Sequence, residues 1–167
     1  MTIPILELND VRKHYPVGSR LPGQRRRVVH AVDGVSFEIG HGETLSLVGE
    51  SGCGKSTVGR VILRLTDVTS GQVVVNGRRI DGLTARGLRP LRRTVQIVFQ
   101  DPFSSLNPRM TVGDILAEPI RNFGLAESSD DLRRQLVDLV TKVGLREDAL
   151  DRRPHEFSGG QRQRIGI

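Results

Sequence analysis

Apolar and polar positions alternate over residues 3–11, with Ile3, Ile5, Leu6 and Leu8 placed to face a core, and this pattern predicts a strand. A second alternating run at 35–39 closes on Gly40 and Gly42. Residues 44–48 are almost continuously apolar, as a central strand buried on both faces would be. A glycine-rich turn follows at once. Beyond it, Val58, Val61, Ile62 and Leu65 fall at i, i+3, i+4 and i+7, the stripe of an amphipathic helix. Val73-Val74-Val75 runs into Asn76-Gly77, a strand entering a tight turn, and residues 95–99 predict another short strand ended by Gln100-Asp101-Pro102. The Gly-, Pro- and Arg-bearing stretch between Pro16 and His30, with Arg25-Arg26-Arg27, reads as an exposed loop.

After Asp101 the periodicity lengthens. Thr111 is placed to cap a helix carrying Val112, Ile115 and Leu116, with Pro119 kinking or ending it. Ser128-Ser129-Asp130-Asp131 opens a further helix in which Leu132, Leu136, Leu139, Val140 and Val143 share a face and Gly144 stands where a C-terminal cap belongs. The pattern therefore divides the chain into a strand-rich part, residues 1–100, and a helical part, residues 101–157. No internal repeat interrupts it.

Composition narrows the class. The 167 residues are 37% hydrophobic and 26% charged, a balance that suits a packed soluble protein and not a wholly disordered one. Lys and Arg number 25 against 19 Asp and Glu, for a net charge of +6, which invites nucleic acid, an anionic membrane surface or a phosphorylated ligand. Aromatic residues make up only 4% and do not interleave with the basic runs. Arg25-Arg26-Arg27 and Arg133-Arg134 thus read as a solvated face or as attraction to an anionic leaflet before they read as a base-stacking platform. Cys53 is the single cysteine, which excludes an intramolecular disulfide and fits a reducing compartment. No apolar run approaches the roughly 18 residues that span a bilayer, and no basic segment precedes an apolar stretch at the N-terminus. The histidines His14, His30, His41 and His155 show no i, i+4 pairing of the metal-binding kind.

The chemistry concentrates at Gly49-Glu50-Ser51-Gly52-Cys53-Gly54-Lys55-Ser56-Thr57, which matches G-x-x-x-x-G-K-[ST] at every fixed position between a predicted strand and a predicted helix. Glycines let successive backbone N–H groups turn inward toward phosphate oxygens, and the helix starting near Lys55 adds the positive end of its dipole. Lys55 supplies a compact charge for the β- and γ-phosphates, and the Ser56 hydroxyl a ligand for Mg2+. These features predict nucleotide binding. Cys53, with no base identifiable nearby, reads as a small loop residue whose modification would block the phosphates.

A second glycine motif, Ser158-Gly159-Gly160-Gln161, follows Phe157. Ser158 and Gln161 have capping-box spacing, so a helix starting here presents a second anion-receptive N-terminus, although Ser-Gly-Gly alone also describes a flexible turn. Together with the phosphate loop it resembles the signature motif of ATP-binding cassette (ABC) ATPases, with Phe157 where Leu is usual. Val98-Phe99-Gln100-Asp101-Pro102 resembles the glutamine loop of that family, and His14-Tyr15-Pro16 its aromatic loop. The phrases at 31–37 and 101–109 are similar to ATPase subunits of dipeptide and oligopeptide importers.

That resemblance spans essentially the whole chain. It implies an α/β P-loop NTPase, a RecA-like core with an antiparallel β lobe plus a helical subdomain. Residues 1–100 would be the nucleotide-binding core, 101–157 the helical subdomain, and 158–167 the signature and the start of its helix. It further implies that Tyr15 stacks on adenine, where the residues alone also allow a packed strand-end tyrosine. Gln100 would reach Mg2+ and the attacking water, where a surface polar residue is the plainer reading. Ser158, Gly159, Gly160 and Gln161 would contact the ATP held by a second cassette subunit, identical or homologous. Two transmembrane permease subunits and, indirectly, an extracytoplasmic solute-binding protein complete the implied assembly, at the cytoplasmic face of the inner membrane. No nucleic acid is expected, the alternatives being a non-transport ABC ATPase that acts on nucleic acid or an inert truncated product. The Asp-Glu pair and the switch histidine that follow the signature in this family are absent before Ile167. The expectation is therefore a fragment of a longer ATPase, lacking the C-terminal part of the core, that binds ATP weakly or not at all and does not hydrolyse it. Residues 44–48 would then be left with unpaired backbone groups.

Overall fold

In the computed structural model, which describes residues 3–18, 27–101 and 105–167, strand β1 (Leu6–Val17) pairs antiparallel with β2 (Arg27–Ile39), from Leu6 opposite Ile39 to Val17 opposite Arg27. Cross-strand pairing overrides the local reading here. The first strand starts and ends later than the alternation over 3–11 predicts, the second is far longer than 35–39, and Pro16, Val17 and residues 27–30 are ladder and not loop. Arg25 and Arg26, like Pro102, Phe103 and Ser104, lie outside the described residues. On its other edge β1 pairs with β3 (Ser70–Val75), which turns through Asn76 and Gly77 into the short β4 (Arg78–Arg79), giving the order β2-β1-β3-β4. Asn76 and Gly77 both have positive φ, 48° and 72°, as the mirror-image turn that suits a twisted hairpin requires.

The buried face of β1 is Leu6, Leu8 and Val11, with Ile3 exposed. The step of three from Leu8 to Val11 breaks strict alternation because the ladder shifts register there, with Asp10 at φ 46°. A bulge of this kind reverses which face the following residues present. Helix α1 (Lys55–Ile62) adds Val58 and Val61, and the short α2 (Ala85–Leu88) adds Leu88, to the same core as Val32, Val73, Val75 and Ile80. Leu65, the last position of the expected stripe, is exposed, since the chain leaves the helix and Arg64 takes φ 50°.

Two expected strands do not form. Residues 44–48 and 95–99 have no strand partner in the four-stranded sheet. Leu47 is 43% and Val48 90% exposed, and Phe99 53%. An apolar run becomes a buried strand only when neighbouring backbones satisfy its N–H and C=O groups, and no described strand lies beside either segment.

The chain forms two compact units, Met1–Gln96 and Ile97–Ile167. In the second, α3 (Val112–Phe123) begins as predicted, with the Thr111 hydroxyl accepting from the Asp114 N–H at 3.1 Å. Pro119 does not end it. The helix runs four residues further, to a left-handed Gly124, held by burial of Val112, Ala117 and Ile120. Helix α4 (Ser129–Lys142) is capped by Ser128, whose hydroxyl accepts from the Asp131 N–H at 3.1 Å, and buries Leu136 and Val140, whereas Leu139 is exposed. The Asp131 carboxyl lies below the usual carboxylate range, chiefly because it accepts from the Glu127 N–H. Single 3-10 turns at Glu147–Asp151 and Pro154–Glu156 lead to α5 (Gly159–Ile165), and Leu150, Phe157 and Ile165 complete this unit's core.

One contact ties the sheet to the loop ahead of α1. The register shift between Lys13 and His14 leaves Ala31 without a partner on β1, and a Cβ added to Gly54 would lie 2.1 Å from the Ala31 carbonyl oxygen. Gly54 also has φ 98°, so no other residue fits.

Two outcomes follow. In hydrogen exchange, the amides of Val73 and Leu8 are expected to be strongly protected and those of 44–48 to exchange at nearly unstructured rates; protection of 44–48 would contradict the absence of a strand partner. Gly54→Ala is expected to lower the urea midpoint more than Gly52→Ala. Gly52 has φ 85° but open space around a Cβ, so it bears only the left-handed cost of about 1–2 kcal/mol. Equal midpoints for the two variants would dismiss the contact with Ala31.

Candidate phosphate-binding loop

Residues 49–57 connect the exposed 44–48 segment to α1. Gly49, Gly52 and Gly54 all take positive φ, 156°, 85° and 98°, which turns the chain back on itself, and the Cys53 N–H donates to the Glu50 carbonyl at 3.3 Å. The Lys55 ammonium reaches back across the loop to the Gly49 and Glu50 carbonyls at 2.8 and 2.7 Å, and lies 3.6 Å from Cys53 Sγ. The cation therefore sits over the concave side of the turn, held only by neutral acceptors.

The start of α1 is chemically open. Gly54 occupies its N-cap position, where there is no side chain to accept from the first-turn amides, and no acidic residue stands in that turn. A helix start with no side-chain cap, a positive dipole end and an adjacent ammonium fits an anion such as a phosphate chain. Ser56 and Thr57 lie in this first turn, so the residue types for a phosphate-bound Mg2+ are in place.

The start of α5 is different. The Ser158 hydroxyl accepts from the Gln161 N–H at 3.3 Å, and the Gln161 side chain accepts from the Ser158 N–H at 2.9 Å, which completes the expected capping box. Phe157 is buried with the Arg152 guanidinium 4.2 Å from its ring centroid, and its carbonyl accepts from Arg162 Nε at 2.9 Å. Ser158, Gly159 and Gly160 remain exposed. A large apolar residue ahead of the cap, whether Leu or Phe, thus anchors the helix start in the core of this unit.

The remaining sequence candidates lie on different segments. Tyr15 lies within β1 opposite Val29, half-buried, with Lys13 Nζ 4.8 Å from its ring centroid. Gln100 is exposed in the second unit, whereas Ser56 belongs to the first. Sequence spacing missed one cluster. His14, His30 and Asp33 converge across the β1–β2 ladder, a meeting that a search for i, i+4 histidine pairs cannot find and that the register of the hairpin alone reveals.

Comparison with known proteins agrees with this geometry. The family model described as ABC transporter matches residues 32–167. The glutathione import ATP-binding protein GsiA of Salmonella typhimurium is 51% identical over 164 residues, and that of Escherichia coli K12 is 49% identical; each alignment covers 98% of this chain and 26% of the relative. The chain thus spans about a quarter of the length of these curated relatives. Among solved structures, the post-hydrolysis dimer of the ATP-binding cassette MJ0796 bound to ADP and Pi superposes with a TM-score of 0.80 at 29% identity, over 96% of this chain and 66% of that one. The cassette cbiO1 of Clostridium perfringens, described as part of a cbiONQ transporter complex, gives 0.74 at 26% identity, over 98% and 59%. Among the described residues no helix is long and apolar enough to cross a membrane. By its matched residues and by the P-loop NTPase fold it shares with these cassettes, the chain belongs to the ABC transporter family.

Proposed function

We propose that this chain is the ATP-binding portion of an importer for short peptides or related solutes. The observation that carries the reading is the phosphate loop: an uncapped helix start beneath Lys55, in a chain half identical to relatives named import ATP-binding proteins. Glutathione, named in those relatives, is a short peptide, which supports a solute of that class.

Backbone N–H groups of residues 49–57 cradle the α- and β-phosphates, and Lys55 leaves its two carbonyl partners for the β- and γ-phosphates. Ser56 would hold Mg2+, which when bound would neutralise charge on the phosphate chain. Tyr15 offers a ring face to adenine; such stacking contributes about 1–3 kcal/mol in comparable base–aromatic contacts. Ser158, Gly159, Gly160 and Gln161 face the ATP of a second cassette subunit. Two permease subunits take up the resulting motion in the membrane, with the cassettes at its cytoplasmic face, and a solute-binding protein supplies the cargo indirectly. The charge of +6 is met by phosphates and anionic lipid, with no role for nucleic acid.

Lys55→Ala, in a longer protein that carries this chain and binds Mg-ATP, is expected to weaken that binding by about ten- to a hundredfold. That range corresponds to roughly 1.5–3 kcal/mol for a hydrogen bond to a charged group. Unchanged affinity in equilibrium binding with labelled ATP would refute the loop assignment. In a protein of this sequence that turns over ATP, Ser158→Arg is expected to leave binding by the monomer nearly intact and to abolish hydrolysis, because Arg overfills the gap toward the facing phosphates. A proportional fall of binding and turnover would remove the trans-contact reading.

A further inference from the structure

Beside the aromatic-loop tyrosine, the β1–β2 ladder sets His14 directly opposite His30, with ring centroids 4.0 Å apart and planes tilted by 37°. Asp33 brings its carboxylate to both: His14 Nε2 lies 3.4 Å from Oδ1, and His30 Nδ1 lies 3.6 Å from Oδ2. In a regular strand His30 and Asp33, three residues apart, would project from opposite faces. Ala31, the residue without a partner on β1, is the extra residue that restores them to one face. The same bulge that presses its carbonyl on Gly54 therefore also assembles this cluster.

Two imidazoles and a carboxylate are a donor set that zinc and its neighbours among the divalent transition metals accept. With metal–nitrogen and metal–oxygen bonds of about 2.0–2.2 Å, ligand atoms around a tetrahedral ion lie about 3.3–3.5 Å apart. The two histidine contacts end on different oxygens of the carboxylate, and one ligand atom from each of the three residues falls within 4.8 Å of the others, so a small side-chain rotation brings the three to that spacing. His30, with its side chain 55% exposed, is free to rotate the last fraction, while the His14 side chain is 21% exposed and its backbone N–H donates to the Thr69 hydroxyl at 2.9 Å. Arg12 donates to Asp33 Oδ1 at 2.9 Å, but its charge is shared with Asp10 at 3.0 Å.

We propose that His14, His30 and Asp33 form a site for one zinc-class divalent cation, clipping β1 to β2 at the Ala31 bulge with a fourth coordination position open to solvent. An ion bound there stabilises the folded hairpin by mass action and stiffens the strand on which Gly54 rests. The full chain, freed of metal, is titrated with Zn2+ alone by calorimetry and with Co2+ alone by visible absorption. One saturable equivalent is expected, with the intense ligand-field bands of four-coordinate Co2+. His30→Ala and His14→Ala should each lower affinity at least about tenfold and remove those bands, and Asp33→Asn should weaken both ions while keeping the side chain's shape. His41→Ala and His155→Ala should change nothing. Absence of saturable binding would overturn the site, as would equal affinity in wild type and His30→Ala. A thiolate charge-transfer band, which would place Co2+ on Cys53, would overturn it as well.

Discussion

Backbone pairing along β1 is the constraint on which the first unit depends. This strand is hydrogen-bonded on both edges, to β2 and to β3, so its register fixes which side chains of three strands face the core. Its irregularities matter as much as its regular pairs. The shift after Leu8 lets Val11 join Leu6 and Leu8 inside, and the shift at His14 extrudes Ala31 toward Gly54. Because side-chain direction alternates with period two, a single inserted residue changes every later assignment of inside and outside. The phosphate loop is thus braced by a strand defect, through a contact that tolerates no Cβ.

The two glycine-bearing helix starts show how one local choice separates two kinds of chemistry. At α1 the N-cap is Gly54, which offers no acceptor, and the first-turn N–H groups stay available to an anion beside Lys55. At α5 the N-cap is Ser158, and Gln161 reciprocates, so one N–H at the cap and one in the first turn are satisfied internally. A capped start is more rigid and less demanding of a ligand, by about 0.5–2 kcal/mol in comparable N-caps. The open start depends on what it binds. The open start belongs to the proposed phosphate loop and the capped one to the proposed signature.

In the second unit, burial overrules propensity. Pro119 gives up one backbone hydrogen bond inside α3, yet Ala117 and Ile120 on either side of it are buried, and the helix continues to Gly124. Against that local cost stands apolar burial of about 25 cal/mol per Å2 summed over the face that carries Val112, Ala117 and Ile120. Leu139 goes the other way: it shares the sequence stripe of Leu136 and Val140 but is left exposed.

What the sequence by itself determined is what depends on neighbours within about four residues. The caps at Thr111, Ser128 and Ser158, the Asn76-Gly77 turn and the phosphate-loop pattern were all readable, because the donor, the acceptor or the φ constraint lies in the same short segment. The ABC resemblance rested on these segments and their order. Only tertiary structure decided how far β1 and β2 extend, that 95–99 remains unpaired as 44–48 was expected to be, that Pro119 sits within a helix, and that His14, His30 and Asp33 meet. Each of these turns on a partner distant in the chain. An apolar run specifies that it would be stable beside another strand, but not whether such a strand is there, and a bulge is visible only against the ladder it interrupts.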